Sequence, residues 1–168
     1  MNRALPAVRL RVPTDEDAVA WHRVFDHPEV MEFYGGRSAG LSVYEELTAR
    51  QRRHDAERGF CLWTVLDDTG RVIGFTGAQP WPQDWGPRGE IEIGWRLGRE
   101  HWGRGYVTAA ARLTLERVRE AGVPGVVAMV DSGNTRSIAV TRRLGMNLAE
   151  VFTTPVSQRE AHCYRLAL

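Results

Sequence analysis

The stretch that most constrains the fold runs from residue 90 to residue 111 and reads E-I-E-I-G-W-R-L-G-R-E-H-W-G-R-G-Y-V-T-A-A-A. Its first part alternates polar and apolar residues, which predicts a strand that breaks at Gly98. A basic loop containing Gly103 and Gly105 follows, and then a long helix begins. Glycine lets backbone amides approach a ligand closely, and a helix N-terminus adds partial positive charge to those amides. The segment therefore predicts a site for a phosphate-bearing ligand.

A dinucleotide-binding site is one interpretation of this segment. Such a site needs G-x-G-x-x-G after a buried parallel strand, with an acidic residue about twenty positions further on. Here Thr108 stands in place of the third glycine, and Asp131 comes later than the pattern expects. The preceding strand places Glu92 on a polar face and Ile93 on an apolar one. This alternation is typical of a half-exposed antiparallel strand, so the sequence disfavours a dinucleotide site.

The same loop resembles a coenzyme-binding motif of a known family. The run Glu100-His101-Trp102-Gly103-Arg104-Gly105 is similar to the acyl-CoA motif Q/R-x-x-G-x-G/A of the GNAT acetyltransferases, with glutamate at the first position. The longer W-G-R-G-Y-V-T-A-A, preceded by E-I-G-W-R-L, looks most like the branch that contains the bacterial ribosomal-protein N-terminal acetyltransferases. That branch also carries N-x-x-S and then K-L-G-F, which residues 134–137 and 143–146 resemble. Residues 10–18 resemble the start of the family, so the resemblance covers nearly the whole chain.

Composition narrows the class of protein. The chain has 168 residues, of which 26% are charged and 43% hydrophobic, so we expect one globular domain spanning residues 1–168. A formal net charge of only +1 gives no global basic field for nucleic acid. No apolar run has the length of a membrane helix, and the N-terminal residues lack the apolar core of a signal peptide. We therefore expect a cytoplasmic protein that binds neither nucleic acid nor membrane.

Two other kinds of chemistry find no support in the sequence. The five histidines and the two cysteines show no metal-ligand spacing, which predicts that the protein has no metal site. No G-x-S-x-G motif occurs, and neither Cys61 nor Cys163 has the context of a nucleophile.

The pattern of elements predicts an α/β (α+β) fold with a mixed, mostly antiparallel sheet flanked by helices. Strands are predicted over residues 8–12, 60–66, 72–79, 90–97, 126–130, 148–153 and 161–168, and helices over 14–27, 42–58, 105–121 and 134–145. The resemblance implies the GNAT fold, in which a splayed strand pair holds acetyl-CoA as co-substrate. The apolar C-terminal strand could pair between subunits, which makes a homodimer a possible assembly.

Coenzyme A carries a pyrophosphate, and the amides of residues 101–107 can point at it, with Arg104 adding charge. The resemblance and this argument together assign coenzyme contacts to Trp95, Arg96, Leu97, His101, Trp102, Gly103, Arg104, Gly105, Tyr106, Val107, Asn134, Ser137 and Arg143. Backbone groups of residues 95–97 are expected on the pantetheine arm, with a thioester contact near Leu97. Purely structural roles stay open for three of these residues. Trp102 could serve packing alone, Asn134 could serve to cap a helix, and Arg143 could serve to complement a helix dipole.

The expected reaction is attack of an amine on a thioester, which requires a free amine. An α-amino group near pKa 8 costs about 1.4 kcal/mol to deprotonate at pH 7, against about 4.6 kcal/mol for a lysine side chain. Glu92 is the first candidate for a general base acting through water, and Glu90 is the second. Both carboxylates could instead simply face solvent.

The departing thiolate needs a proton, and many relatives place a tyrosine seven residues after the helix asparagine. This chain has Thr141 at that position, and a threonine hydroxyl is a poor acid. Thr141 could relay a water, Tyr106 or Tyr164 could replace it, or solvent could supply the proton.

The expected acceptor is a primary amine, with a protein or peptide N-terminus placed first. A small-molecule amine such as an aminoglycoside or a polyamine is the alternative, and Asp84, Glu90 and Glu92 would then form its pocket. Trp81 and Trp85 could line the acceptor cleft or could pack between sheet and helix. A non-catalytic acyl-CoA sensor is a hypothesis of a different class.

Overall fold

The computed structural model describes residues 3–168. The strands are β1 (Arg9–Arg11), β2 (Leu62–Leu66), β3 (Val72–Pro80), β4 (Ile91–Leu97), β5 (Gly125–Asp131), β6 (Asn147–Thr153) and β7 (Glu160–Ala167). The helices are α1 (Asp15–Val24), α2 (Pro28–Met31), α3 (Leu41–Arg58), α4 (Tyr106–Glu120) and α5 (Thr135–Arg143), with a 3₁₀ turn over Arg99–His101.

All seven strands form one sheet in the order β1-β2-β3-β4-β5-β7-β6. Every neighbouring pair is antiparallel except β4 and β5, which run parallel. This confirms the predicted mixed, mostly antiparallel sheet flanked by helices. Residues 90–97 were predicted to form a half-exposed antiparallel strand. β4 is antiparallel to β3 as predicted, but it lies in the middle of the sheet and its other neighbour, β5, is parallel, so that part of the prediction was wrong.

The parallel pair β4 and β5 separates along its length. β3 and β4 pair continuously from Gly74 opposite Leu97 to Pro80 opposite Ile91. In contrast, β4 and β5 are in register only where Glu92 stands opposite Val127. The two strands therefore part beyond that point and leave a gap in the centre of the sheet.

Helices cover both faces of the sheet. α4 packs its buried Ala110, Ala111, Leu115 and Val118 on one face, against side chains such as Ile93 and Leu97 of β4. On the other face, α1 and α3 enclose a second, aromatic core that includes Trp21, Phe25, Tyr44 and Phe75. The side chains of β4 consequently alternate between these two cores.

Local signals explain where most helices begin and end. The backbone N–H of Thr14 donates to the carboxylate of Asp17 at 2.9 Å, which stabilises the start of α1. α3 ends at Gly59, which has the left-handed φ of 80°. The chain leaves α1 at Val24 and starts the short α2 at Pro28, a helix that the sequence pattern did not predict. The 3₁₀ turn before α4 was not predicted either, because such short turns have no hydrophobic period of their own.

The C-terminal strand β7 lies between β5 and β6. The expectation that this strand pairs with another subunit is therefore wrong, since both of its edges are already in use. The free edge on that side belongs to β6, where Leu148 and Val151 are each 52% exposed. A homodimer itself stays a prediction. Among residues 3–168, no helix combines the length and the apolar character required to cross a bilayer.

Candidate functional site

A cleft of about 440 Å³ opens where β4 and β5 part. Residues 92–96 of β4 and 128–130 of β5 form one wall, together with Ser137 at the start of α5. The opposite wall comes from β3, the segment after α2, and the face of α3 between Val43 and Arg50. The volume falls in the range of about 300–1,000 Å³ that is usual for small-molecule sites.

The main chain of β4 presents unpaired groups to this gap. The amide of Gly98 donates to the carbonyl of Ile73, and the amide of Trp81 donates to the carbonyl of Glu90. Because bonding alternates along an antiparallel ladder, the even-numbered residues of β4 bond to β3 and the odd-numbered ones face β5. Since β5 pairs with β4 only at Glu92 within residues 3–168, the main-chain groups of Trp95 and the amide of Leu97 have no strand partner there. Pantetheine contacts were predicted for residues 95–97, and of these the main chain of Arg96 is directed towards β3 instead.

The loop before α4 is shaped to receive an anion. Gly103 and Gly105 have φ values of 72° and 87°, a conformation that glycine adopts without strain. Among residues 3–168, no main-chain acceptor bonds the amides of residues 103–108. The space beside Gly103 is open, whereas Leu5 and Pro6 pack against the Cα of Gly105. A run of free amides at the N-terminus of a helix binds phosphate well.

Two of the loop amides predicted to face the pyrophosphate are already hydrogen-bonded within the protein. The amides of His101 and Trp102 are not free, because they donate to the carbonyls of Gly98 and Arg99 within the 3₁₀ turn. His101 is buried, and burial lowers the pKa of its imidazole, so it adds no positive charge near neutral pH. The Trp102 indole donates to the Leu97 carbonyl at 3.0 Å, which is a packing role.

The asparagine and serine of the second motif lie beside the gap. The Asn134 side chain accepts from the amide of Ser137 at 3.2 Å and caps α5, so its capping role is confirmed. The Trp95 indole donates to the Ser137 hydroxyl at 3.1 Å and thereby connects β4 to α5 across the parting strands. Arg104 and Arg143 are exposed, and neither pairs with a carboxylate in the described part of the chain.

Glu92 lies in the cleft at the end of a chain of buried amides. The backbone N–H of Leu62 donates to the Gln51 side-chain oxygen at 2.9 Å, and the Gln51 amide nitrogen donates to the Gln79 oxygen at 2.8 Å. The Gln79 nitrogen then donates to the Glu92 carboxylate at 2.7 Å. The Leu62 amide can only donate, so it fixes the orientation of both glutamines. Desolvation raises the pKa of Glu92 to about 7, while the hydrogen bond from Gln79 acts in the opposite direction.

The other predicted acid–base residues are placed differently. Arg165 holds both carboxylate oxygens of Glu90, at 3.1 and 2.6 Å, so Glu90 is committed to an ion pair. The Thr141 side chain is buried and donates to the Ile138 carbonyl at 2.7 Å. Tyr106 and Tyr164 do not line the cleft. Of the predicted candidates, only Glu92 combines a position in the cleft with a pKa suited to proton transfer.

Trp81, Asp84 and Trp85, which were predicted to bind the acceptor amine, lie outside the cleft. The rings of Trp81 and Trp85 meet edge to face with centroids 5.4 Å apart, and Trp85 also lies against Phe152 of β6. Asp84 is exposed on the same loop. None of these residues lines the cleft, so the predicted acidic pocket of Asp84, Glu90 and Glu92 is not assembled there.

The cleft contains charged side chains whose role the sequence did not reveal. The guanidinium of Arg96, expected only as part of a pantetheine-binding strand, lies over the ring of Tyr34 at 3.9 Å from its centroid. Arg50 and Glu46 extend from α3 along the opposite wall. The sequence did contain a signal for Arg96. Alternate residues of a strand lie on the same face, so Arg96 could be placed on the polar face of β4 together with Glu92. Among residues 3–168, no cluster of acids, histidines and cysteines is suited to hold a metal ion.

Comparison with known proteins places this site in a family. Residues 7–147 match the family profile described as an acetyltransferase (GNAT) domain. The uncharacterized protein YkkB of Bacillus subtilis is 31% identical over 163 residues, which is 94% of this chain and 93% of that protein. The L-methionine sulfoximine/L-methionine sulfone acetyltransferase of Pseudomonas aeruginosa is 30% identical over 133 residues, 75% of this chain and 77% of that protein.

Similarity of the fold extends to solved structures. The ribosomal-protein-alanine N-acetyltransferase of Brucella melitensis superposes with a TM-score of 0.76 at 18% identity, covering 95% of this chain and 99% of that one. The parted β4 and β5, the free amides before α4 and the match over residues 7–147 agree with one another. This chain belongs to the GNAT family of N-acetyltransferases, enzymes that use acetyl-CoA.

Proposed function

We propose that this enzyme transfers the acetyl group of acetyl-CoA directly to a primary amine of a small molecule, with Glu92 as general base. The observation that carries the proposal is the position of Glu92. It lies beside the last strand pair before the gap, faces the cleft, and has a pKa near the pH at which it must act.

The residues present fit acetyl-CoA as co-substrate. The unpaired main-chain groups of Trp95 and Leu97 suit the amides of the pantetheine arm, and one of the two N–H groups suits the thioester oxygen. The free amides of residues 103–108 suit the pyrophosphate, and Arg104 in the same loop adds positive charge. The co-substrate supplies an acyl group on a thioester, which is activated for attack by an amine.

Glu92 removes the proton that keeps the acceptor amine unreactive. With a pKa of about 7, roughly half of its carboxylate is ionised at pH 7, which balances availability against basicity. Gln79 holds one carboxylate oxygen in place. The second oxygen has no hydrogen-bond partner among residues 3–168 and is free to meet the amine or a bridging water.

The transfer balances without another reactant. The C–N bond of the amide forms while the C–S bond breaks, and the ammonium loses two protons in total. One of them ends on the thiolate and the other in solvent. Because Thr141 is bonded to Ile138, we assign it no part in protonating the thiolate, and solvent suffices.

Two acceptor classes are supported by different observations. A relative named for acetylation of L-methionine sulfoximine and L-methionine sulfone shares 30% identity over three quarters of this chain, which favours a small molecule. A protein or peptide N-terminus is the second candidate. It is supported by the motifs that resemble the ribosomal-protein branch and by one structural neighbour of that name at 18% identity.

The experiment measures thiol release from acetyl-CoA with a panel of free amino acids, polyamines, an aminoglycoside and short peptides. We expect turnover with at least one small molecule, and an E92Q variant that binds acetyl-CoA normally in calorimetry but loses most of its rate at pH 7. E90Q is the matched control, because it removes a neighbouring carboxylate that lies in an ion pair outside the cleft. Turnover of peptides alone would reverse the order of acceptors. Binding of acetyl-CoA without turnover of any amine would support a sensor.

A further inference from the structure

Arg96 is an unpaired cation in the wall of the cleft. Its guanidinium carbon lies 3.9 Å from the ring centroid of Tyr34, 5.2 Å from that of Phe25 and 5.3 Å from that of Phe75. Among residues 3–168, no carboxylate lies within ion-pair distance of it. Its buried Nε has no hydrogen-bond acceptor in the described part of the chain.

This arrangement differs from that of several other arginines that lie against carboxylates in the same fold. Arg11, Arg99 and Arg165, for example, each bond to a carboxylate within the chain. Aromatic faces stabilise a guanidinium, but they accept no hydrogen bond in its plane, and the Nε donor of Arg96 lies in that plane. A buried donor without an acceptor is costly, so the free energy of the site improves when a ligand supplies an anion.

The position of Arg96 relative to Glu92 indicates which ligand. Both side chains leave the same face of β4, with Gly94 between them, and their Cα atoms are about 13 Å apart at the usual rise of a strand. Gly94 itself contributes no side chain to this face, and the nearest side chain to it is that of Leu62. A molecule lying over Gly94 therefore meets a proton acceptor at one end and a planar set of donors at the other.

We propose that the acceptor is a free α-amino acid or a close analogue, and that Arg96 binds its carboxylate while its amine faces Glu92. Guanidinium and carboxylate match as a bidentate pair, which fixes the direction in which the acceptor enters. This inference rests on the proposed function and makes its acceptor specific. A peptide N-terminus has a neutral amide in place of the carboxylate, and a polyamine or aminoglycoside would bring a second cation to Arg96.

The test compares each of the twenty L-amino acids with its carboxamide, using thiol release from acetyl-CoA by the full-length wild-type enzyme. For the best amino acid we expect kcat/KM to exceed that of its carboxamide about 30-fold or more, the usual effect of removing one partner of a desolvated charge pair. In R96Q the acid and the carboxamide should become nearly equal, with KM for the acid raised about 30-fold and KM for acetyl-CoA unchanged. R96K should recover part of the preference, because it restores the charge without the planar geometry.

The matched control is R112Q, which removes an exposed arginine on α4 and should leave every constant unchanged. Equal rates for acids and carboxamides in the wild type would overturn the inference, even where turnover still depends on Glu92. Absence of turnover with every amine would instead overturn the proposed function. If R96Q does not fold, the wild-type comparison of acids with carboxamides decides the matter by itself.

Discussion

Removing the Gln79 side chain should move the pH dependence of the enzyme. Gln79 donates to Glu92 at 2.7 Å, and this hydrogen bond is one of the causes that hold the pKa of Glu92 down against desolvation. A hydrogen bond to a charged group is worth about 1.5–3 kcal/mol. Since one pKa unit corresponds to 1.36 kcal/mol, Q79L should raise the pKa of Glu92 by about one to two units.

The consequence for the rate follows from the ionised fraction of Glu92. With a pKa of about 7, half of the carboxylate is ionised at pH 7. A pKa of about 8 to 9 leaves roughly a tenth to a hundredth, so kcat/KM at pH 7 should fall about 5- to 50-fold. The loss should disappear as the pH rises above the new pKa.

The assay is a pH profile of kcat/KM for Q79L and wild type with one amine, so that titration of the amine affects both profiles equally. Q51L is the control, because it removes the inner amide of the chain and leaves Gln79 able to donate to Glu92. Its profile should shift less than that of Q79L. Profiles of Q79L and wild type that coincide between pH 6 and pH 9 would refute Glu92 as the titrating base.

Three further predictions concern the same site. The pKa of Glu92 rises from an ordinary value of 4.5 to about 7 on folding, so its ionisation destabilises the folded state increasingly from pH 4.5 to pH 7. The free energy of unfolding of E92Q minus that of wild type, measured by urea unfolding, should therefore be larger at pH 8.5 than at pH 4 by up to about 3 kcal/mol. An equal difference at both pH values would contradict the assigned pKa. G103A should lose about 1 kcal/mol of stability because Gly103 has a φ of 72°, and should also weaken acetyl-CoA binding in calorimetry. G122A is the control, because Gly122 has a φ of 85° and open space at the end of α4. It should lose similar stability while binding acetyl-CoA as wild type does. Equal affinities of G103A and G122A for acetyl-CoA would argue against phosphate binding at the loop. W95F and S137A should each cost about 1 kcal/mol through the same 3.1 Å hydrogen bond, so a double-mutant cycle of melting curves should show coupling, and full additivity would exclude that bond.

Local signals made one part of the fold predictable. The alternation of β4, the glycines before α4 and the caps of α1 and α5 are properties of short segments, and the structure confirms the strand, the turn and the helix starts. Gly103 and Gly105 could be predicted to form a tight turn because the requirement for positive φ is local, and phosphate binding at this turn stays a prediction.

The parts that could not be predicted depend on contacts between distant segments. Gln51 and Gln79 are 28 residues apart, and only the packing of α3 on β3 makes them neighbours. His101 was predicted as a coenzyme contact of the basic loop, but the fold buries it and lowers the pKa of its imidazole. Trp81 and Trp85 were candidates for the cleft, yet an aromatic residue packs on whichever apolar surface the fold brings near, and here that includes Phe152.

The even- and odd-numbered residues of β4 differ in what they contact, because a strand has a two-residue period. Its even-numbered residues bond their main chain to β3 and direct their side chains towards α1 and α3, so Glu92 and Arg96 are held by an intact ladder. Its odd-numbered residues direct their side chains to the core under α4 and leave their main-chain groups facing the gap, where a co-substrate can use them. Parting of β4 and β5 therefore frees main-chain donors without loosening the side chains that we propose act on the acceptor. A one-residue insertion before Gly94 would exchange the two sets from that point to Leu97 while Glu92 kept its place, since a shift by one residue reverses both the side-chain face and the direction of the main-chain groups. Such a variant should lose turnover even if the sheet still forms, because Arg96 would then point into the core on the α4 side.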